Sequence, residues 1–113
     1  MVNKYIPKQG DIVFLDFNPI KGHEQAGKRP AIVISNNVFN MNTKMAMVCP
    51  ITSNEKYYPT HYILENTKKI SGAVLCEHIR SIDYETRKIK FVESASDNDL
   101  ISVITLTNAC IEE

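Results

Sequence analysis

The sequence predicts a mainly β fold, a small barrel or sandwich of short strands with a C-terminal α-helix and one or two short helical turns. Many short apolar runs are separated by Gly, Pro and Asn, as in small all-β domains. The run from Asp11 to Phe17 carries apolar residues on both faces and so reads as a central strand of a curled sheet. Sustained helical spacing occurs only after Ser96.

In chain order, Met1 to Gly10 is a polar lead-in, followed by the strand Asp11 to Phe17. Asn18 to Lys28 is a long polar loop punctuated by Pro19, Gly22 and Gly27. Pro30 to Ser35 is the second strand, with Ala31 to Ile34 an unbroken apolar stretch fit for burial. NNVFNMN, Asn36 to Asn42, has the composition of a turn or of one to two helical turns. Met45 to Ile51 is the third strand, and Pro50 near its end predicts an edge or a bulge because proline donates nothing to a ladder. Thr52 and Ser53 place two hydroxyls where that strand leaves the core, and Glu55 to Thr60 is an exposed turn carrying Tyr57 and Tyr58. His61 to Leu64, Gly72 to Glu77, His78 to Ile82 and Ile89 to Val92 are further strands, with a turn at Tyr84 to Arg87. Ser96, with Asp99 three residues on, caps a helix whose Leu100, Val103, Ile104, Thr107 and Ile111 form the face that would close one opening of the barrel.

A chain of 113 residues is expected to be one domain, residues 1–113. An apolar share of 43% argues against disorder, and no apolar run approaches membrane-spanning length. A cytoplasmic protein is therefore expected. Cys49, Cys76 and Cys110 form no CxxC spacing and are read as core or chance thiols, so neither a disulfide framework nor a metal site is expected. The formal net charge of zero speaks against a strongly basic nucleic-acid binder. Its distribution is uneven: all thirteen Lys and Arg lie at or before Lys90 with eight of the thirteen acids, while Glu93, Asp97, Asp99, Glu112 and Glu113 follow without a cation. A basic body with an acidic tail suits polyanion binding, and also ordinary solvated faces.

The loop into the second strand concentrates the functional signal, since long connections without structure of their own tend to bind or catalyse. Gly22 to Lys28, GHEQAGK, mimics most of a phosphate-cradling nucleotide loop, but Arg29 stands where that loop needs Ser or Thr, and Pro30 then favours extended chain over helix. HEQAG also lacks the second His of a zinc-protease helix.

GDIVFLDFNPIKGHEQAGKRPAIVIS, then CPITS at Cys49 to Ser53, then GAVLCEHIRSID at Gly72 to Asp83, together resemble the MazF/PemK family of toxins over nearly the whole chain. The resemblance implies an SH3-like, CcdB/PemK-like barrel with a C-terminal helix. It also implies a homodimer that cuts single-stranded RNA at short motifs without metal or other cofactor, neutralised by a MazE-like cognate antitoxin. It places catalytic roles on Arg29 and Thr52, and sets Glu24 at the Glu of the EQ pair, whose role in the family is less uniform. Gln25, Lys28 and Ser53 beside them, with Glu77 and His78, are candidate RNA-binding residues. The family more usually has an acid followed by Gln where Glu77 and His78 stand, so a structural histidine is an equal reading of His78.

The residue types fit this chemistry independently. Attack by an adjacent 2′-hydroxyl needs a proton acceptor, a stabiliser of charge on the phosphate and a proton for the leaving 5′-oxygen. Arg29 offers a planar, permanently charged fork, Thr52 a hydroxyl for a phosphate oxygen, and Glu24 a local base. DNA lacks the nucleophile and would be spared. A CcdB-like toxin that binds gyrase without catalysis is the competing reading, but such toxins end in aromatic and Gly-rich residues, whereas this chain ends NACIEE. An inactive RNA-binding relative is a further alternative.

Overall fold

The computed structural model describes residues 5–17 and 27–112. Seven strands, β1 (Asp11–Asp16), β2 (Lys28–Val33), β3 (Met45–Thr52), β4 (His61–Ile63), β5 (Ala73–Leu75), β6 (Arg80–Asp83) and β7 (Lys90–Ser94), form one antiparallel sheet ordered β4-β5-β3-β2-β1-β7, with β6 also paired to β3. Two α-helices, α1 (Asn37–Thr43) and α2 (Asp97–Ala109), and a 3-10 turn at Cys76–His78 complete the described chain.

The apolar runs of β1 to β3 are unbroken because both faces of these strands are covered. Alternation sends Val13, Leu15, Ala31, Val33, Ala46 and Val48 into one core cluster with Phe17, Ile82 and Tyr84. It sends Ile12, Ile32, Cys49 and Ile51 into a second, with Leu64, Val74 and Val103. Phe17 is fully buried, with the Arg80 guanidinium 5.6 Å from its ring centroid. Burial pushes the Cys49 thiol up to about 12 and the Cys76 thiol up to about 11, so both are neutral core residues, whereas Cys110 is exposed.

Pro50 does not mark a sheet edge. β3 is paired along one side to β2, and along the other first to β6, through Met45–Val48, and then to β5, from Ile51. Pro50 falls in the gap between those two partners, where its missing donor costs no ladder bond. The expected strands Gly72–Glu77 and His78–Ile82 are shorter, because the 3-10 turn at Cys76–His78 breaks the chain between β5 and β6. Helix α1 confirms the short helical turns: Asn36 accepts from the Phe39 N–H at 2.8 Å, and Lys44, at φ 59°, ends it.

Barrel closure is the expectation the structure corrects. The terminal strands β4 and β7 form no ladder with each other, so the sheet stays open. Carboxylates span the gap instead. The segment after β4 receives Glu93 of β7, which accepts from the N–H groups of Lys68, Lys69 and Ile70 at 2.9, 2.8 and 2.8 Å. Helix α2 adds a second clamp. Ser96 caps it as expected, accepting from Asp99 N–H at 3.1 Å, but the fully buried Asp99 carboxylate reaches outward. It accepts from the Tyr62 hydroxyl at 2.6 Å and the Asn66 N–H at 3.1 Å. Burial and this hydrogen bond push the Tyr62 hydroxyl up to about 12. The covering face of α2 is Leu100, Val103 and Leu106; Ile111, expected on that face, lies beyond the helix and is exposed.

Removing a buried acceptor strands its donors at about 1–3 kcal/mol each. Asp99→Ala should therefore lower the melting temperature by roughly 5 to 15 °C, read by thermal unfolding followed by circular dichroism.

Candidate active site

The ladder between β2 and β3 pairs Ala31 with Pro50, Ile32 with Cys49 and Val33 with Val48. Carried two residues outward, that register sets Arg29 opposite Thr52, on the same face of the sheet. Both residues are partly exposed, and both line a cleft of about 450 Å³ together with Lys28, Ser53, Lys69 and Ser71. Four of the residues singled out from sequence, Lys28, Arg29, Thr52 and Ser53, thus meet at one opening. Glu24 and Gln25 lie outside the described residues. The ends of their loop are tied, because Phe17 N–H donates to the Gly27 carbonyl at 3.0 Å and Asp16 pairs with Lys28.

Thr52 is held from behind by a close approach of chain. Gly72, at φ +140°, lies so near that a Cβ there would stand 2.2 Å from the Thr52 carbonyl oxygen, and the next pair in the ladder is Thr52 with Ala73. Only glycine lets β5 press against β3 at this point.

Thr52 also opens into a second depression of about 260 Å³, lined by Asn54, Lys56, Tyr57, Tyr58, His61 and Leu75. Beyond it a third, of about 400 Å³, shares Lys56, Tyr57, Tyr58 and His61 and extends to Tyr62 and Ile63. The three share walls and make a groove that begins among cations and ends among aromatic rings. Tyr57 is 79% exposed and Tyr58 55%, and the Tyr58 ring lies 5.0 Å from that of His61.

His61 is a groove residue that the sequence did not reveal, since only the pairing of β4 with β5 brings it near Glu77. Glu77 and His78 do not line the Arg29–Thr52 cleft. Glu77 reaches the groove through His61: its carboxylate lies 2.9 Å from His61 Nε2 and accepts from the Thr60 hydroxyl at 2.8 Å, while His78 Nε2 is 3.8 Å away. His61 Nδ1 is buried without a hydrogen-bond partner. Burial pushes the Glu77 carboxyl upward, but hydrogen bonds from its own N–H, His61 and Thr60, together with the His61 charge, outweigh burial and hold it below its ordinary value. Among the described residues no group of three or more His, Cys, Asp or Glu side chains could hold a metal ion, and no helix is long and apolar enough to cross a membrane.

Residues 8–106 match the family described as PemK-like, MazF-like toxin of type II toxin-antitoxin system. The chain belongs to that family. It is 39% identical over 87 residues to the endoribonuclease toxin MazF of Escherichia coli K12, covering 77% of this chain and 78% of that one. It is 31% identical to endoribonuclease EndoA of Bacillus subtilis strain 168, over 95% of this chain and 98% of that protein. The crystal structure of MazF from Deinococcus radiodurans superimposes with a TM-score of 0.89 at 36% identity, covering 96% and 98% of the two chains. A MazE–MazF complex from the same organism gives 0.83 at 36%, over 96% and 97%.

A depressed carboxyl stabilises the fold above its unfolded pKa, and that contribution disappears as pH falls through the folded value. Glu77→Gln should be less stable than the wild type near neutrality, and urea unfolding should show the difference steady from about pH 7 to about pH 5 and shrinking only as the pH falls below about 4.5. Gly72→Ala should cost more than about 1–3 kcal/mol in the same assay, because backbone and not a flexible side chain must yield.

Proposed function

We propose that this MazF-like toxin is an endoribonuclease that cuts single-stranded RNA beside Arg29 and Thr52 and is held inactive by a MazE-like antitoxin. The observation that carries the reading is the shared cleft of those two side chains, continuous with an aromatic and cationic groove. The relatives' names, endoribonuclease MazF and EndoA, and the antitoxin in the related complex point the same way.

In the reaction, the 2′-hydroxyl gives up its proton as its oxygen attacks the adjacent phosphorus, and the bond to the 5′-oxygen breaks as that oxygen takes up a proton from solvent, leaving a 2′,3′-cyclic phosphate and a 5′-hydroxyl. Negative charge grows on the non-bridging oxygens as the 2′-oxygen approaches. The Arg29 guanidinium can take two of them in a fork, and the Thr52 hydroxyl can donate to one. Their positions are set by strand pairing, so little reorganisation is needed as the charge forms. Glu24 is the proposed proton acceptor. Lys28 and Ser53 sit where flanking phosphates pass, and Tyr57 and Tyr58 offer exposed ring faces for unstacked bases. The reaction needs no metal, the toxin acts as a homodimer in the cytoplasm, and DNA is spared for want of the nucleophile. Exposed apolar side chains such as Val38 and Met41 on α1 are compatible with a second copy packing against the first.

Incubation with a long RNA in EDTA, followed by mapping of 5′-ends, tests the reading: discrete cuts at a shared short motif are expected, and intact RNA would refute it. Arg29→Ala and Thr52→Ala should each lower the cleavage rate by at least about a hundredfold while circular dichroism and melting stay near wild type. A substrate with 2′-deoxyribose at the cut should be bound and left uncut.

A further inference from the structure

Lys69 entered the cleft unannounced by any motif. It lies in the segment between β4 and β5, and its backbone is immobilised from two sides. Upstream, Asn66 is bound to Asp99; across the sheet opening, Glu93 accepts from the N–H groups of Lys68, Lys69 and Ile70 in succession. The Thr67 hydroxyl closes the turn onto the Ile70 carbonyl. Three consecutive N–H groups form a natural anion cradle, but here the protein fills it with its own carboxylate. Burial pushes the Glu93 carboxyl up, and the three N–H groups with the charge of Lys69 more than reverse this, so it stays ionised in the cradle. An incoming phosphate therefore meets the exposed side chain of Lys69 rather than these amides.

The cleft, at about 450 Å³, lies in the range of about 300–1,000 Å³ that accommodates a ligand much larger than one phosphodiester. Arg29 with Thr52 grips one phosphate, and room is left for a flanking one beside Lys69.

Building on the nuclease reading, we propose that Lys69 is a phosphate-binding residue for an RNA phosphate flanking the scissile one, and that Glu93 is the positioning residue that aims it. The contact is electrostatic and independent of base identity. Lys69 adds affinity and register, and takes no part in bond breaking.

The test measures binding of a single-stranded RNA carrying 2′-deoxyribose at the cut, by fluorescence anisotropy across a salt series, alongside cleavage kinetics of the all-ribose substrate. Lys69→Ala should weaken binding several-fold and flatten the plot of log affinity against log salt by about 0.7, the share of one phosphate contact on a single strand. It should raise KM and leave kcat within about twofold, and Lys69→Arg should restore the slope. Glu93→Gln removes a negative charge, which by itself would tighten RNA binding; weaker binding is expected because the aim of Lys69 is lost. A wild-type slope for Lys69→Ala, or tighter binding by Glu93→Gln, overturns the assignment. Wild-type protein that neither binds nor cuts the RNA would overturn the nuclease reading itself, which is a separate outcome.

Discussion

The site depends on the ladder between β2 and β3. Its register sets Arg29 across from Thr52, and the same two strands are buried on both faces by Ala31, Ile32, Val33, Val48 and Cys49. A register slip by one residue would turn every one of those side chains to the opposite face, so the core enforces the backbone positions of Arg29 and Thr52 and the face they share. The alignment of Arg29 with Thr52 is thus inherited in part from hydrophobic patterning. The tight passage of Gly72 behind Thr52 adds a second constraint from the other side of β3.

An open sheet then poses a problem that carboxylates solve. Because β4 and β7 form no ladder, the segment linking β4 to β5 would hang free over the gap. Glu93 and Asp99 receive its N–H groups, and the cost of burying the Asp99 carboxyl group is offset by several hydrogen bonds at once. Glu77 performs a related task on the next stretch of the groove, joining Thr60 and His61 to the 3-10 turn. The walls of the groove are thus fixed by side chains reaching across from other elements, which lets the walls be irregular chain while their shape is kept.

Much of this was legible in the sequence because it is local. The strands around Ala31–Ile34 and Met45–Ile51 follow from apolar runs, the cap at Ser96 from its spacing to Asp99, and the meeting of Lys28, Arg29, Thr52 and Ser53 from a motif whose parts sit at strand ends. What escaped is long-range. The choice of two partners along β3 makes Pro50 harmless in a central strand, and nothing within a few residues of Pro50 records that choice. His61 and Lys69 look like ordinary surface residues until pairing of β4 with β5 and the Glu93 contact bring them to the groove. Ile111 kept helical spacing past the point where the helix stops, since periodicity alone carries no stop signal.

The neutral net charge now has a physical explanation consistent with a polyanionic substrate. Several of the acids serve as hydrogen-bond acceptors for the protein's own donors. Asp99 is fully buried against Tyr62 and Asn66, Asp11 accepts from the Tyr5 hydroxyl and the Lys8 N–H, Asp83 accepts from the N–H groups of Glu85 and Thr86, and Glu77 and Glu93 are engaged as described. Carboxylates held by protein donors have part of their charge compensated locally, so their field at a distance is weaker than a formal count suggests. Lys28, Arg29, Lys56 and Lys69, by contrast, all line the same groove. A ligand approaching that face meets a locally cationic cleft on a molecule that is neutral in sum, and it is the local field that acts within the Debye length of about 8 Å. Composition therefore understates the capacity of such a fold to bind RNA whenever its acids are used as internal hydrogen-bond acceptors.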